Sequence, residues 1–172
     1  MSGPAVVAAT DRLLIRELAP ADRDAMLAVY GDREAMRWVG DGSPLTAEQA
    51  DRWLEVTVHN YRHYGYGMYA MTLRERPETV VGFIGLVHPD GQSEAEIKYA
   101  LGRAYWGAGF ATEAVSAVLD YGFGSCRLTR VIATTAPENA ASHRVLQKAG
   151  LEEVTPRRHD DGSWDRVFAI EP

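Results

Sequence analysis

Two short stretches in the second half of the chain combine residue types that bind anions and polar ligands. In the first, Trp106-Gly-Ala-Gly-Phe-Ala111, two glycines lie between a predicted strand and a predicted helix. Glycine lets the backbone approach a ligand closely, and the first N–H groups of a helix lack intrahelical acceptors, so they point at an anion. The stretch is therefore either a phosphate site or only the turn that a strand-to-helix connection needs.

The first stretch, residues 106–111, is called the glycine turn below, and it does not match the common nucleotide-binding motifs. A Walker loop requires Gly-Lys followed by Ser or Thr, and Thr112 occupies the position of the third glycine in the dinucleotide motif GxGxxG. If the turn binds a phosphate, its ligand is one that is held without either fingerprint.

The second stretch runs from Asn139 to Leu151 and is typical of a helix that ends at Gly150 in a left-handed C-terminal cap. Ser142 and Leu146 lie on one face of this helix, and Asn139 comes one turn before Ser142. Taken alone, Asn139 is typical of an N-terminal helix cap and Ser142 of a small packing residue. The residues by themselves favour that interpretation over a ligand-binding amide and hydroxyl.

Hydrophobic periodicity and turn residues predict a mixed α/β chain around these stretches. Thr46-Ala-Glu-Gln49 is a capping box that opens an amphipathic helix, and Pro20 suits the first turn of an earlier helix. The predicted strands are Arg12–Leu18, Tyr66–Leu73, Val80–Val87, Glu94–Leu101, Leu128–Thr134, Leu151–Arg158 and Trp164–Ile170. The glycine turn thus follows the fourth predicted strand, and Asn139 follows the fifth.

Composition limits the class of protein. The 172 residues are 46% hydrophobic and 24% charged, which is ordinary for one folded domain. A net charge of −6 argues against binding nucleic acid or an anionic membrane, and it suits a cationic amine as partner. Cys126 is the only cysteine, so no intrachain disulfide forms, and no apolar run reaches the roughly 18 residues of a membrane span. We expect a cytoplasmic protein with a flexible leader over residues 1–10 and a single domain over residues 11–172.

A metal site is not expected. His59 and His63 have the i, i+4 spacing of two zinc ligands on a helix, but Asn60 stands where zinc proteases carry a glutamate. No third ligand is evident in the sequence.

Together, in this order and at this spacing, the two stretches resemble the GNAT superfamily of acetyl-CoA-dependent N-acetyltransferases. Trp106 to Ala111, followed by Thr112-Glu-Ala, looks like the superfamily's pyrophosphate loop, and the stretch from Asn139 looks like its second acyl-CoA motif. The Arg12–Leu18 strand with Pro20-Ala-Asp22 is similar to the Rim-type (RimJ/RimL-like) branch, which acetylates protein N-termini and other amines. The resemblance covers the chain from about Arg12 to Ile170.

The resemblance implies an α/β (α+β) fold with a mostly antiparallel, twisted central sheet of about seven strands flanked by helices. The fourth and fifth strands, Glu94–Leu101 and Leu128–Thr134, would splay apart in a V that accepts the pantetheine arm of the co-substrate acetyl-CoA. The residues that it assigns to the cofactor are Leu101, Gly102, Trp106, Gly107, Ala108, Gly109, Phe110, Ala111, Thr112, Asn139 and Ser142.

The expected reaction is direct attack of an amine on the thioester in a ternary complex. The tyrosine that many members use to protonate the departing thiolate falls at Leu146, which has no proton, so Ser142 is the remaining candidate donor. Glu96 is the candidate base, because strand alternation places it with Lys98 on one face of the strand beside the thioester. The competing interpretation of Glu96 is a solvated or ion-paired strand residue.

The acceptor would be a protein N-terminus or a small-molecule amine. By analogy with the superfamily, it enters from the N-terminal half, between Trp38–Trp53 and the strand that carries Tyr66–Tyr69. Two alternatives stay open, namely a CoA-binding regulatory module without turnover and a transferase that uses another acyl-CoA. A homodimer is plausible for the Rim-type branch, although no residue pattern demands one.

Overall fold

One eight-stranded sheet runs through the computed structural model, which describes residues 3–172. Its strands are β1 (Val6–Ala9), β2 (Leu13–Glu17), β3 (Met68–Leu73), β4 (Arg76–Val87), β5 (Ala95–Leu101), β6 (Val131–Thr135), β7 (Glu152–Arg158) and β8 (Trp164–Ile170). The order across the sheet is β1-β2-β3-β4-β5-β6-β8-β7. The predicted fold class and the mostly antiparallel sheet are confirmed, with one strand more than expected.

The additional strand, β1, lies in the stretch that was expected to be a flexible leader. It pairs antiparallel with β2, with Val6 opposite Arg16. The expectation is therefore wrong for Val6–Ala9, whereas Met1 and Ser2 lie outside the described residues. Four small apolar residues carry too little alternation to predict a strand, and their order depends on pairing with the edge of β2.

The α-helices are α1 (Arg23–Tyr30), α2 (Arg33–Met36), α3 (Ala47–Tyr64), α4 (Phe110–Gly124) and α5 (Ala140–Lys148). On one face of the sheet, Val118 of α4 and Leu146 of α5 share a core with Ile97 of β5. On the opposite face, Met26 of α1 packs in a second core with Ala100 of β5. Strand β5 therefore carries buried side chains on both of its faces.

The capping box predicted before α3 is confirmed. The Gln49 N–H donates to the Thr46 hydroxyl at 3.2 Å, and the Thr46 N–H donates to the Gln49 side chain at 2.9 Å. At the other end of α3, Gly65 closes the helix with a φ of 81°. Both ends of the helix thus satisfy backbone groups that would otherwise be unpaired.

The strands β5 and β6 are the one parallel pair in the described sheet, and they separate after two residue pairs. Ala95 lies opposite Val131, and Glu96 lies opposite Ile132, but the following residues of the two strands are not paired. This is the predicted V-shaped splay. It falls between the fifth and sixth strands, rather than the fourth and fifth, because β1 comes first in the chain.

Within residues 3–172, no helix has the length and apolar character needed to cross a lipid bilayer. The same part of the chain contains no group of three or more His, Cys, Asp or Glu side chains placed to hold a metal ion. His59 and His63 stack on each other along α3 at 5.7 Å between ring centres.

Candidate active site

A cavity of about 890 Å³ opens where β5 and β6 separate. Its walls come from both faces of the sheet, because the gap between the strands joins them, and its volume is typical of small-molecule sites at roughly 300–1,000 Å³. Residues from α1, α2 and α3 line one part of the cavity. The predicted cofactor residues that line it are Leu101, Trp106, Gly107, Gly109, Phe110, Ala111, Thr112, Asn139 and Ser142.

The glycine turn presents backbone N–H groups at the start of α4. Gly107 and Gly109 have φ values of 72° and 82°, in the left-handed region that favours glycine. The hydrogen bonds of α4 begin at Glu113, whose N–H donates to the Gly109 carbonyl at 3.1 Å. The described residues supply no acceptor to the N–H groups of residues 107–112, so this turn can bind an anion.

Arg12, which directly precedes β2, fixes the glycine turn from its outer side. Its guanidinium donates to the Ala108 carbonyl at 2.9 Å and pairs with Glu113 at 2.7 Å. The same guanidinium lies 4.2 Å from the centre of the Phe110 ring. Ala108 does not line the cavity, and its carbonyl is used by Arg12, although its N–H has no acceptor among the described residues. Sequence analysis missed Arg12 because nothing local links it to a turn 96 residues later.

The end of β5 exposes backbone groups to the gap. The Gly102 N–H donates to the Val81 carbonyl at 2.9 Å, which makes Leu101 and Gly82 an opposing pair without mutual hydrogen bonds. The N–H and C=O of Leu101 therefore point away from β4 and into the gap, where the Trp106 indole donates to that carbonyl at 2.9 Å.

The prediction for Gly102 needs correction. Its N–H is used by Val81, its carbonyl accepts from the Tyr105 N–H at 2.9 Å, and it does not line the cavity. The Gly102 N–H is thus not available to a ligand, and its carbonyl already accepts one of its two possible hydrogen bonds. Of the two predicted strand-end residues, Leu101 offers a free N–H to the gap.

At the start of α5, Asn139 is a helix cap. Its side-chain oxygen, Oδ1, accepts from the Ser142 N–H at 3.2 Å. The structure thus bears out the simpler interpretation of Asn139, but the side-chain NH₂ group stays available and the residue lines the cavity. The Ser142 hydroxyl lies 2.6 Å from the Tyr99 hydroxyl. Leu146 is fully buried one turn further along, so no phenol occupies that position.

Tyr99 is a site residue to which sequence analysis gave no role beyond its face of β5. It lines the cavity, and burial raises the pKa of its phenol to about 12, although the hydrogen bond with Ser142 acts in the opposite direction. The phenol therefore keeps its proton at neutral pH. When Tyr99 donates to Ser142, the hydrogen of the Ser142 hydroxyl is left to point into the cavity.

Thr135, the last residue of β6, carries a buried hydroxyl without a hydrogen-bond partner among the described residues. Thr135 also lines the cavity. An unpaired buried polar group costs about 1–3 kcal/mol. A polar ligand atom in the gap would remove that cost.

Glu96 is buried among polar partners rather than open to the cavity. The Thr134 hydroxyl donates to it at 2.5 Å, the Gln92 amide donates at 3.2 Å, and the Lys98 ammonium lies at 2.6 Å. Glu96 is 1% exposed and does not line the cavity, whereas Thr134 and Lys98 do. The alternative interpretation, an ion-paired strand residue, describes these contacts.

Of the residues expected to flank the entry of the amine, only those on one side lie at the cavity. Trp38 and Trp53 line the cavity. Tyr66 and Tyr69 are 5% and 1% exposed and belong to the core beneath α4, away from the cavity. The opposite wall is formed by Tyr30 and Phe83, which share the second core.

Comparison with known proteins identifies the family. The model of the acetyltransferase (GNAT) domain matches residues 12–152. The chain belongs to the GNAT acetyltransferase family. Uncharacterized N-acetyltransferase p20 of Bacillus licheniformis is 32% identical over 148 residues, which are 83% of each chain. The predicted resemblance is confirmed, and the protein is an N-acetyltransferase of the GNAT type.

Solved structures agree with the GNAT fold. An acetyltransferase (GNAT family) from Bacillus anthracis superposes with a TM-score of 0.80 at 28% identity, over 95% of this chain and 97% of that one. RimL, a ribosomal L7/L12 alpha-N-protein acetyltransferase in complex with coenzyme A, gives a TM-score of 0.81 over 97% and 98% of the two chains. At 13% identity, the likeness to RimL concerns the fold alone.

The cavity of this GNAT domain is basic, although the whole chain is acidic. Among the described residues that line it, Glu34 is the one acid, and the basic residues are Arg37, Lys98, Arg144 and Lys148. Arg144 and Lys148 belong to α5 and lie on the cofactor side. The net charge of −6 therefore does not describe the field that a ligand meets in the cavity.

His143, next to Ser142, ties α5 of the GNAT domain to the sheet. Its Nδ1 accepts from the Arg166 guanidinium at 2.8 Å, so Nε2 carries the proton and donates to the Ala136 carbonyl at 3.1 Å. Burial, and then the charge of Arg166, lower the pKa of His143. The neutral imidazole thus holds the loop between β6 and α5, which positions Asn139 and Ser142.

We expect the free energy of unfolding to fall as the pH drops below about 6.5, the ordinary pKa of histidine. Below that pH the unfolded chain binds a proton that the folded chain does not bind at His143. The contribution of neutral His143 to the free energy of unfolding is complete above about pH 6.5. It is lost as the pH falls through the lowered pKa of His143 in the folded state. Urea unfolding between about pH 5 and pH 8 measures it.

His143→Gln should flatten this pH dependence, because an amide can keep one donor and one acceptor without titrating. His59→Gln, on the exposed side of α3, is the matched control and should leave the dependence unchanged. A wild-type slope that persists in His143→Gln would show that other groups cause it.

Proposed function

We propose that the protein transfers the acetyl group of acetyl-CoA to a primary amine, either of a small molecule or of a protein N-terminus, by direct attack. One observation carries the proposal. A single cavity joins the free N–H groups of the glycine turn, through the gap between β5 and β6, to the paired hydroxyls of Tyr99 and Ser142. An anion-binding end and a proton-donating centre are what an acyl-CoA transferase needs in one space.

The residues present fit acetyl-CoA. The N–H groups from Gly107 to Thr112 would hold the diphosphate, with Arg144 and Lys148 adding positive charge beside it. The Leu101 N–H, the Asn139 amide and the unpaired Thr135 hydroxyl would pair with amide groups of the pantetheine arm. The solved structure of RimL with coenzyme A supports placing the cofactor in this fold.

Bound acetyl-CoA supplies an acetyl thioester whose carbon–sulfur bond can break toward a thiolate. Ser142 would donate its hydroxyl hydrogen to that sulfur, and Tyr99 would hold the Ser142 oxygen by donating to it. In the balanced reaction a nitrogen–carbon bond forms as the carbon–sulfur bond breaks. The thiolate leaves with the Ser142 hydroxyl hydrogen-bonded to it and then takes a proton from water, while the proton lost by the amine passes to the base and from there to water. A thiol pKa of about 8.5 makes the thiolate a fair leaving group, so this donation assists the step but does not decide it alone.

Glu96 would accept the proton of the amine through Thr134. The Thr134 hydroxyl lines the cavity and donates to Glu96, which supports an indirect route rather than direct contact. An α-amino group with a pKa of about 8 is already about one-tenth neutral at pH 7, so it needs little help. A lysine-like amine at about 10.4 needs far more.

We expect Glu96→Gln to lower kcat/KM for an α-amine about 10-fold at pH 7, less than the roughly 100-fold or more of a base in direct contact. Thr134→Val should cause a similar loss, because it breaks the connection to the cavity. Thr134→Ser keeps the hydroxyl and serves as the matched control. A Glu96→Gln enzyme with unchanged kcat/KM at every pH would remove Glu96 from the mechanism.

Release of free thiol from acetyl-CoA in the presence of amines tests the proposed function. We expect amine-dependent thiol release, with a mass gain of one acetyl group on the amine. Coenzyme A binding without amine-dependent release would instead identify a regulatory binding module, which the buried Leu146 at the tyrosine position would then explain. Competition between acetyl-CoA and longer acyl donors tests the size of the acyl group.

A further inference from the structure

The mouth of the cavity between α2 and α3 is apolar and exposed. Trp38, Trp53 and Val56 line it and are 39%, 37% and 46% exposed. Behind them, the Tyr30 ring stacks on Phe83 at 5.6 Å and meets Trp53 edge-on at 5.0 Å between ring centres. A cluster of large apolar side chains left open to water marks a surface that binds an apolar ligand group.

The charges around this mouth do not suit a polycation. Glu34 is the one acid among the described lining residues, and Arg37 follows it three positions later on the same wall. The Arg37 guanidinium lies 4.8 Å from the Trp38 ring centre, so it occupies an aromatic face that could otherwise hold an ammonium group. At the inner end, the Lys98 ammonium lies 2.6 Å from the Glu96 carboxylate, so this pair adds no net charge. The mouth therefore carries no net negative charge that would hold the further ammonium groups of a polyamine.

We propose that the acceptor is a primary amine with an apolar, preferably aromatic, side group and no second positive charge. This inference rests on the proposed acetyl transfer and narrows its substrate class. The aromatic wall would bind the side group, while the amine reaches the gap between β5 and β6. The chemistry is shared by a small aromatic amine and by a polypeptide that begins with an aromatic residue, since the open mouth lets a chain continue outward.

The first experiment compares amines that differ in side group or charge, with thiol release from acetyl-CoA as the measurement. Phenylalanine amide and glycine amide carry the same type of α-amine, so their kcat/KM ratio isolates the benzyl group. We expect phenylalanine amide to be favoured about 10- to 100-fold. Spermine and kanamycin should give a lower kcat/KM than phenylalanine amide. Acetylation of a hexapeptide that begins with phenylalanine would indicate a polypeptide acceptor, and its absence would indicate a small molecule.

The second experiment places a charge on the apolar mouth. Val56 and Val58 lie on the same helix with similar exposure, 46% and 43%, but only Val56 lines the cavity. Val56→Asp should lower the ratio of kcat/KM for phenylalanine amide to that for glycine amide about 10-fold. Val58→Asp, the matched control, should leave this ratio unchanged, and thermal melting checks that both variants fold.

The outcomes separate this inference from the proposed function. A preference for spermine or kanamycin, or equal kcat/KM for the two amides, overturns the inference and leaves acetyl transfer intact. Equal losses in the two aspartate variants, or no loss in Val56→Asp, also overturn it. Thiol release with none of the amines overturns the proposed function and the inference with it. Preference for the aromatic amide or the peptide, lost in Val56→Asp alone, supports it.

Discussion

Replacing Thr112 by glutamate is expected to reduce the affinity for coenzyme A about 100-fold. Thr112 lies in the first turn of α4 and lines the cavity, where free N–H groups would hold the diphosphate. Two like charges about 5 Å apart repel by about 3 kcal/mol at an effective dielectric constant of 20, and about 1.4 kcal/mol corresponds to a factor of ten. Titration calorimetry with coenzyme A measures the loss.

The same substitution separates binding from folding. A carboxylate in the first turn of a helix stabilises it by about 0.3–1 kcal/mol through the helix dipole, so the melting temperature should stay the same or rise. Thr112→Gln has nearly the same size without the charge and should bind coenzyme A within a few-fold of wild type. An unchanged affinity in Thr112→Glu would place the diphosphate elsewhere, and equal losses in both variants would show that size is responsible.

The parts of the site that sequence could predict are those that are local along the chain. The glycine turn needs its two glycines because each adopts a positive φ, and the capping residue Asn139 acts on a backbone group three residues away. Such features depend on neighbouring residues, so type and spacing suffice to predict them. The helices and most strands follow from periodicity for the same reason.

The contacts that sequence could not predict join residues far apart. Arg12 reaches the carbonyl of Ala108 across 96 positions, and Tyr99 meets Ser142 across 43. Each pair depends on the order of the strands across the sheet, which periodicity leaves open. Strand β1 was missed for a related reason, since its order depends on its partner strand rather than on its own residues.

The charge of the cavity is another property that the sequence could not predict. The acidic composition suggested a cationic acceptor, yet the fold gathers Arg37, Lys98, Arg144 and Lys148 around one cavity, where Glu34 is the one acid among the described lining residues. Two acids that lie outside the cavity, Glu113 and Glu153, are paired with arginines. A net charge sums over the surface, whereas a ligand responds to the groups within a few ångströms of it.

The hydroxyl pair of Tyr99 and Ser142 leads to the second large effect. Ser142→Ala is expected to lower kcat about 30- to 100-fold, because a hydrogen bond to a charged group contributes about 2–3 kcal/mol. Tyr99→Phe leaves the Ser142 hydroxyl in place but removes the group that orients it, so its loss should be smaller, about 10-fold. The dissociation constant for coenzyme A should change little in either variant.

A double-mutant cycle decides whether the two hydroxyls act as a unit. If Tyr99 works only through Ser142, then Tyr99→Phe in the Ser142→Ala background should have no further effect on kcat. Tyr66→Phe is the matched control, because Tyr66 is also buried and its hydroxyl lies 2.7 Å from His88, away from the cavity. Its kcat should equal that of wild type. Independent, multiplying losses in the double variant would contradict the pair, since a purely structural effect of Tyr99 would persist without Ser142.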